Sequence, residues 1–209
     1  MSMFRRVYGS GKETWDGFME RFPILFADSK KSMKETCMCW GIECPIGWYH
    51  ILDQLCTALE FHNNEFARKY GIAVIADQVK EKFGTLRFYY SVRGIALLER
   101  ENDQPIIVDQ DCAAEDSRRK IAIDYLEMLA DNFIGEAEKM TYNTCADCGK
   151  PLDKDDRVET KGWISYICKK CNGERAKRRP ELKEALKELR DARAEAEEKA
   201  KKEKENPTT

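Results

Sequence analysis

The chain has 209 residues, 42% of them hydrophobic and 35% charged, with a formal net charge of −2. That hydrophobic share can build a core and excludes a wholly disordered chain. The charge is uneven, because residues 169–209 hold 14 Lys and Arg against 10 Asp and Glu, whereas the rest of the chain holds 22 against 28. This charge balance argues against a polyanion-binding role for the whole surface, whereas it is compatible with a local basic site.

The sequence also predicts a compartment. It has no apolar run of ~18 residues, which a membrane-spanning helix needs, and its first residues lack the apolar stretch of a secretory signal. We therefore expect a cytoplasmic protein without membrane contact. Its nine cysteines are then reduced thiols, and the question becomes which of them bind metal.

Two helices are predicted within the first 62 residues. Aromatic side chains at helical spacing favour a helix over 14–22, which Pro23 ends. Residues 37–49 are rich in Cys, Trp, Gly and Pro and predict a compact loop. From Trp48 onward, apolar residues recur on one helical face and predict a helix over 46–62.

The next segment predicts a β-hairpin. Residues 72–79 are β-branched and apolar, and residues 85–92 alternate strictly between apolar and polar positions. A short connection over 80–84 joins them. Residues 93–111 are either a third strand or a mobile connection.

Two further helices follow. Residues 113–141 carry an apolar stripe that needs a partner, and we expect it to pack on the hairpin. Residues 176–205 are dense in helix formers but have a thin apolar seam, so this segment is either a solvated helix that frays or a partner-binding coiled coil. The predicted stripe of the first helix is Ala122, Leu126, Leu129, Phe133, Ala137 and Met140.

One motif is highly specific. Cys145 and Cys148 form a C-x2-C pair, and Cys168 and Cys171 form a second pair after 19 residues. Two such pairs supply four thiolates to one cation, the closed tetrahedral arrangement that structural Zn²⁺ prefers. We therefore expect one zinc ion per chain in a zinc ribbon. Four thiolates leave no open coordination position on the ion, so we expect it to be structural rather than catalytic. Asn172–Gly173 suits a tight turn after the second pair.

A basic segment adjoins the second pair. It could contact phosphates, bind a partner protein or be merely solvated, and Trp163 and Tyr166 could supply stacking platforms for bases. On the hairpin, Arg87 and Tyr89 share the face opposite the apolar side chains, which is either a further binding face or a plain amphipathic strand. The basic candidates are Lys169, Lys170, Arg175, Lys177, Arg178 and Arg179.

Weaker constellations leave alternatives open. Cys37, Cys39, Cys44 and His50 could form a second metal site, although buried thiols in a loop packed on the next helix are the simpler interpretation. No phosphate-binding glycine loop or nucleophile elbow is present, and we predict no catalytic residue. An enzyme that processes nucleotides or nucleic acids through carboxylates and Arg87 remains an alternative, as does a protein that sequesters a small molecule.

Several blocks of sequence carry a resemblance. Gly41–Trp48 precedes a helix, Gln78–Tyr89 lies in the hairpin, Met140–Gly149 leads into the first cysteine pair, and Gly162–Trp163 precedes the second. In this order the chain resembles a widespread family of small uncharacterised phage and prophage proteins. The resemblance implies expression in the cytoplasm of an infected bacterium. The chain departs from that family in its charged tail and in its final Cys-x-x-Cys, where we expect Cys-Asp-x-His in many relatives.

The sequence as a whole predicts an α+β protein. A small antiparallel sheet packed by two helices is followed by a zinc ribbon and a charged C-terminal helix. The predicted domains are an N-terminal domain over 1–142, the ribbon over 143–175 and a helical or partly disordered tail over 176–209. The predicted function is that of a non-catalytic, zinc-binding accessory protein of the phage type. It would bind a host nucleic acid or a host protein, to counter host defence or redirect transcription.

Overall fold

A computed structural model describes residues 12–101, 104–110, 117–159 and 164–178, with scattered positions from 180 to 193. By its internal contacts the chain divides into two units, Met1–Cys168 and Lys169–Thr209. The predicted divisions near residues 142 and 175 stay predictions. Among the described residues, no helix combines the length and the apolar character that a membrane crossing requires.

The first unit is an α+β fold, as the sequence predicts. Three short 3-10 turns, at Ala27–Lys30, Cys37–Trp40 and Ile46–Trp48, connect its first two helices. In the second unit, residues 169–178 are helical. The elements of the first unit, in chain order, are α1 (Lys12–Glu20), α2 (Tyr49–Tyr70), β1 (Ile72–Lys82), β2 (Thr85–Glu101), β3 (Gln104–Gln110), α3 (Ser117–Tyr142), β4 (Arg157–Glu159) and β5 (Tyr166–Cys168).

Strands β1, β2 and β3 form an antiparallel sheet in that order, and β4 pairs with β5 in a separate antiparallel hairpin. The hairpin of β1 and β2 is longer than predicted. It turns through only two residues, Phe83 and Gly84, whose φ angles are 55° and 79°. Positive φ at both central residues is the type I′ geometry that matches the twist of a hairpin. Of the two alternatives for residues 93–111, the third strand is the one observed.

Helix α2 runs eight residues beyond its predicted end and stops at Gly71. The left-handed φ of Gly71, 63°, ends the helix while its N–H still donates to the Ala67 carbonyl. The helix contacts β1, whose first five residues are fully buried. One apolar cluster joins Ile24, Ala67, Ala73, Ile75 and Ile95.

The buried face of α3 differs from the predicted stripe. Leu129 and Phe133 are only half-buried and Met140 is exposed. The reason is that α3 packs against α2 as well as the sheet, so its buried row is rotated relative to the predicted stripe. Phe133 stacks on His62 of α2, with ring centroids 5.6 Å apart. The buried row is Ala122, Leu126, Ala130, Ile134, Ala137 and Thr141.

Two buried polar side chains of α2 hold neighbouring backbone segments. The amide of Asn63 accepts a hydrogen bond from the N–H of Val74 and donates one to its carbonyl, each 2.8 Å long. The carboxylate of Glu60 accepts from the N–H groups of Ile24 and Leu25 at 3.0 and 2.9 Å. These contacts satisfy strand and loop groups that would otherwise be buried without partners.

Candidate metal centre

Four cysteine sulfurs converge on one point. The Sγ atoms of Cys145, Cys148, Cys168 and Cys171 lie within 4.8 Å of one another, and those of Cys148 and Cys168 are 3.9 Å apart. Sulfur ligands at ~2.3 Å from a tetrahedral ion would be about 3.8 Å apart. Three of the cysteines are buried, whereas Cys148 is exposed. The group therefore fits a metal ion with four thiolate ligands.

The first C-x2-C pair sits in a tight turn. Gly149, with φ 72°, donates its N–H to the Cys145 carbonyl at 2.9 Å, a conformation that a side chain would strain. The N–H of Cys168 points at the Cys145 sulfur, 3.3 Å away. Burial raises the pKa of the Cys145 thiol, although backbone N–H groups lower it in part. A bound cation would reverse this effect of burial, because a metal-bound thiol is deprotonated.

The β4–β5 hairpin carries Cys168 of the second pair at its end. Arg157 of β4 lies between two aromatic rings, with its guanidinium carbon 4.1 Å from the centroid of Tyr142 and 4.9 Å from that of Tyr166. It also donates to the carbonyl of Tyr142 and the side chain of Asn143. Tyr166 is thus a packing residue rather than a free platform for a base. Trp163, the other predicted platform, lies outside the described residues.

The turn that carries the first pair docks on the loop before α2. The N–H of Gly47 donates to the Ala146 carbonyl at 3.0 Å, and the indole N–H of Trp48 donates to the Thr144 carbonyl at 3.4 Å. A Cβ on Gly47 would overlap backbone atoms of Cys145 and Ala146. Only glycine permits this approach.

The tip of the β1–β2 hairpin packs against the β4–β5 hairpin. A Cβ on Gly84 would lie 2.7 Å from ring atoms of Tyr166. The β4–β5 hairpin and the first cysteine pair are therefore packed against the sheet domain in two places. They are not a separate domain joined to the sheet by a linker alone.

The predicted second metal site is not assembled. Within the described ranges, Cys37, Cys39, Cys44 and His50 do not form a group of close ligands. Cys37 and Cys39 lie two apart in a 3-10 turn, whose repeat of three directs them to different sides. Desolvation and the carboxylates of Glu81 and Glu43 raise the pKa of the Cys44 thiol, which disfavours the thiolate that binds metals or attacks substrates. The exposed His50 lies instead beside Gly149 of the cysteine turn.

The predicted basic segment is helical from residue 169 to 178, so the expected turn at Asn172–Gly173 is wrong. The helix begins at the second cysteine pair and continues through Asn172 and Gly173. Helical residues have negative φ, so no turn with positive φ forms there. Lys170 and Lys177 are exposed and, seven residues apart, share a helical face. Lys169 and Arg178 are also exposed, Arg175 is half-buried, and Arg179 lies outside the described residues.

The hairpin face predicted from Arg87 and Tyr89 carries further residues. Arg87 lies opposite Lys80 across the strands, and its guanidinium is 3.7 Å from the carboxylate of Glu138 on α3. The ring of Tyr89 is 45% exposed and that of Phe83, at the turn, is 63% exposed. Lys80, Lys82 and Phe83 belong to the same hairpin segment, 80–90, whose interleaved basic and aromatic residues are visible in the sequence.

No protein-family profile, curated protein or solved structure matches this chain significantly.

Proposed function

We propose that this protein is a zinc-stabilised, non-catalytic module that binds single-stranded nucleic acid on the outer face of the β1–β2 hairpin. One observation carries the proposal: two exposed aromatic rings, Phe83 and Tyr89, each have a lysine ammonium close by. Rings stack on bases without strong sequence preference, and lysines contact the phosphates between them.

The geometry of these pairs supports such a surface. The ammonium of Lys80 is 5.7 Å from the ring centroid of Tyr89, and that of Lys82 is 5.4 Å from the ring centroid of Phe83. A nucleotide stacked on either ring would therefore have a lysine ammonium nearby. Arg87 adds a third cation to the face, although the Glu138 carboxylate offsets part of its charge.

Two features of this face oppose folding stability. Lys80 and Arg87 are like charges directly opposite each other, which weakens a strand pair. Phe83 adopts φ 55°, a left-handed conformation that is costly for an aromatic residue. Backbone strain of the kind at Phe83 clusters at functional sites.

Zinc would act as scaffolding. Four thiolates are the ligand set of structural Zn²⁺, and they leave no coordination position for a substrate or water. The cysteines that would hold it are Cys145, Cys148, Cys168 and Cys171. Holding Cys168 in place also positions Tyr166, which packs under Gly84 at the tip of the binding hairpin.

The biological setting of the proposal comes from sequence alone. The resemblance to phage and prophage proteins supports an accessory role in an infected bacterium, with a host nucleic acid as the partner. The exposed lysines of the 169–178 helix are further basic candidates. A host protein is the competing partner.

The test is fluorescence anisotropy of the zinc-loaded full chain with a labelled single strand of about 20 nucleotides and with the matching duplex. We expect tighter binding of the single strand. The double variant Lys80→Ala/Lys82→Ala should flatten the slope of log Kd against log salt concentration by about 1.4, because each lost phosphate contact contributes ~0.7. Lys30→Ala/Lys34→Ala, which removes two exposed lysines outside the hairpin, is the control.

Three outcomes would overturn the proposal. Neither nucleic acid binds, or the two lysine pairs have the same effect, or the oligonucleotide is cleaved by the protein. Cleavage that a carboxylate substitution abolishes would establish the enzyme alternative. Native mass spectrometry of the protein from cells would reveal a tightly held small molecule if sequestration is the function.

A further inference from the structure

The four clustered cysteines differ sharply in their exposure to solvent. Cys145 and Cys168 are 0% and 2% exposed and Cys171 is also buried, whereas Cys148 is exposed. Of the cysteines in the described part of the chain, Cys148 alone is exposed. Oxidation of a cysteine follows its thiolate character and its exposure. An oxidant dissolved in water would therefore reach the sulfur of Cys148 before that of any other described cysteine.

The buried sulfur of Cys168 lies close to this exposed one. The two Sγ atoms are 3.9 Å apart, and a disulfide joins sulfurs at about 2.05 Å. Cys168 is shielded from an oxidant in solution, yet a small approach of the two sulfurs would bring it to bonding distance of Cys148. An exposed cysteine with a second cysteine beside it is the arrangement of redox-sensitive thiol pairs.

Metal binding would keep these sulfurs in their reactive form. A thiol that ligates a metal ion is deprotonated, and the thiolate is the nucleophile in cysteine oxidation. Thiols elsewhere in the fold lack this activation. Burial raises the pKa of the Cys44 and Cys56 thiols well above the usual value, which disfavours their thiolates.

We infer that Cys148 is a site of oxidation by hydroperoxides and that Cys168 converts the product into a disulfide. In the first step the Cys148 thiolate attacks a peroxide oxygen. An S–O bond forms, the O–O bond breaks, and the leaving hydroxide takes up a proton to become water. In the second step the Cys168 thiolate attacks the sulfenic sulfur of Cys148. An S–S bond forms, the S–O bond breaks, and a second hydroxide leaves and is protonated to water. Two electrons pass from the sulfurs to the peroxide, which is the oxidant.

Loss of the metal ion follows from this reaction. The thiolate is the form of cysteine that ligates metals, so a disulfide between Cys148 and Cys168 removes two of the four ligands at once. The remaining pair cannot complete a closed tetrahedral site. The inference rests on the metal centre of the proposed function, but it does not depend on nucleic-acid binding.

The change would reach the β1–β2 hairpin through Tyr166. This residue precedes Cys168 by two positions in β5, and its ring occupies the space that a Cβ on Gly84 would need. Its carbonyl accepts a hydrogen bond from the N–H of Ala146 at 3.0 Å. Drawing Cys168 toward Cys148 would disturb this packing under the hairpin tip. Together with the proposed function, this predicts that the oxidised chain binds single strands more weakly.

Hydrogen peroxide added to the zinc-loaded full chain tests the modification. We expect zinc release, followed with a chromophoric chelator, and a disulfide between Cys148 and Cys168, located by mass spectrometry of tryptic peptides. Cys145 and Cys148 share one tryptic peptide, whereas Cys168 lies on another. A link between peptides is therefore distinct from a link within the first pair. A thiol reductant with added zinc should restore the metal content.

Two variants that conserve a zinc ligand isolate the role of Cys148. Histidine also ligates zinc, so Cys148→His and Cys171→His should each retain one zinc ion per chain. Cys148→His should slow the peroxide-driven release of zinc at least about tenfold, because it removes the exposed thiolate. Cys171→His is the matched control, since it leaves Cys148 and Cys168 in place, and it should release zinc at close to the wild-type rate.

Several outcomes would overturn the inference. The wild-type chain keeps its zinc in excess peroxide, or its disulfides form without Cys148, or the two histidine variants release zinc at equal rates. The wild-type peptide map is decisive even where a histidine variant fails to fold. A chain that binds no zinc overturns this inference and the metal centre together. Zinc release as expected from a chain that binds no single strand would overturn only the proposed nucleic-acid binding.

Discussion

The Cα of Gly47 lies against the carbonyl oxygen of Cys145, with no room for a side chain between them. A Cβ on Gly47 would also come within 2.6 Å of the Ala146 carbonyl oxygen, which accepts a hydrogen bond from the Gly47 N–H. The cysteine turn and the loop before α2 therefore share a backbone interface. The stability of each depends on the other.

Substituting Gly47 tests this interface. Gly47→Ala should lower the free energy of unfolding by about 1–3 kcal/mol or more, because backbone atoms would have to shift. It should also weaken zinc binding in competition with a chromophoric chelator. Gly17→Ala is the control: a Cβ at Gly17 in α1 meets nothing within 4 Å, so the free energy of unfolding should stay constant or rise by up to ~1 kcal/mol. Equal effects of the two substitutions would contradict the interface.

Metal content gives a second prediction. Elemental analysis should return one zinc ion per chain, and Cys148→Ser should reduce this content. Hydrogen exchange should then show lost protection over 145–168 and, because Gly47 and Trp48 bond to this segment, at the start of α2. Cys39→Ser, outside the cluster, should change neither measurement. Full zinc content and unchanged protection in Cys148→Ser would disprove the assignment.

Phe83 gives a prediction in which stability and binding move in opposite directions. Phe83→Asn should raise the free energy of unfolding by about 1 kcal/mol, because asparagine tolerates positive φ in a type I′ turn. It should weaken the binding of single strands, because a stacking ring is lost. Phe61→Asn is the control, since Phe61 is similarly exposed at 65% but lies on α2. If Phe83→Asn leaves the affinity unchanged, the ring does not contact bases.

The buried carboxylate of Glu60 predicts a pH dependence. Burial raises the pKa of Glu60 above 4.5, although hydrogen bonds from Ile24, Leu25 and Asn63 lower it in part. The folded chain therefore holds this proton at a higher pH than the unfolded chain does. The stability from this group is fully present below pH 4.5 and is lost as the pH rises through the folded pKa.

Urea denaturation between pH 4.5 and 7 measures this effect. Glu60→Gln should flatten the fall of the unfolding free energy over that range, while costing about 1–2 kcal/mol at pH 7 through a weakened backbone contact. Glu65→Gln changes an exposed residue of the same helix and should stay within ~0.5 kcal/mol of the wild type at every pH. The same pH profile for Glu60→Gln and the wild type would remove Glu60 as the cause.

Local patterns in the sequence were sufficient for part of this fold. Alternation over 85–92 identifies a strand, and the doubled cysteine spacing identifies the cluster, because both signals lie in neighbouring residues. The buried row of α3 was misjudged at Phe133, since its orientation depends on where α2 lies. The buried side chains of Glu60 and Asn63 were missed for the same reason: their partners are distant in sequence, and no local pattern records them.

The docking of Trp48 has a consequence for synthesis on the ribosome. The acceptor of its indole N–H is Thr144, 96 residues further along. The nascent chain thus emerges with the loop before α2 uncovered, and it stays so until the cysteine turn has been translated. Force profiling with an arrest peptide should register the completed fold only after residue 168 has left the exit tunnel. Until then, chaperones that bind exposed aromatic surface would contact the nascent chain.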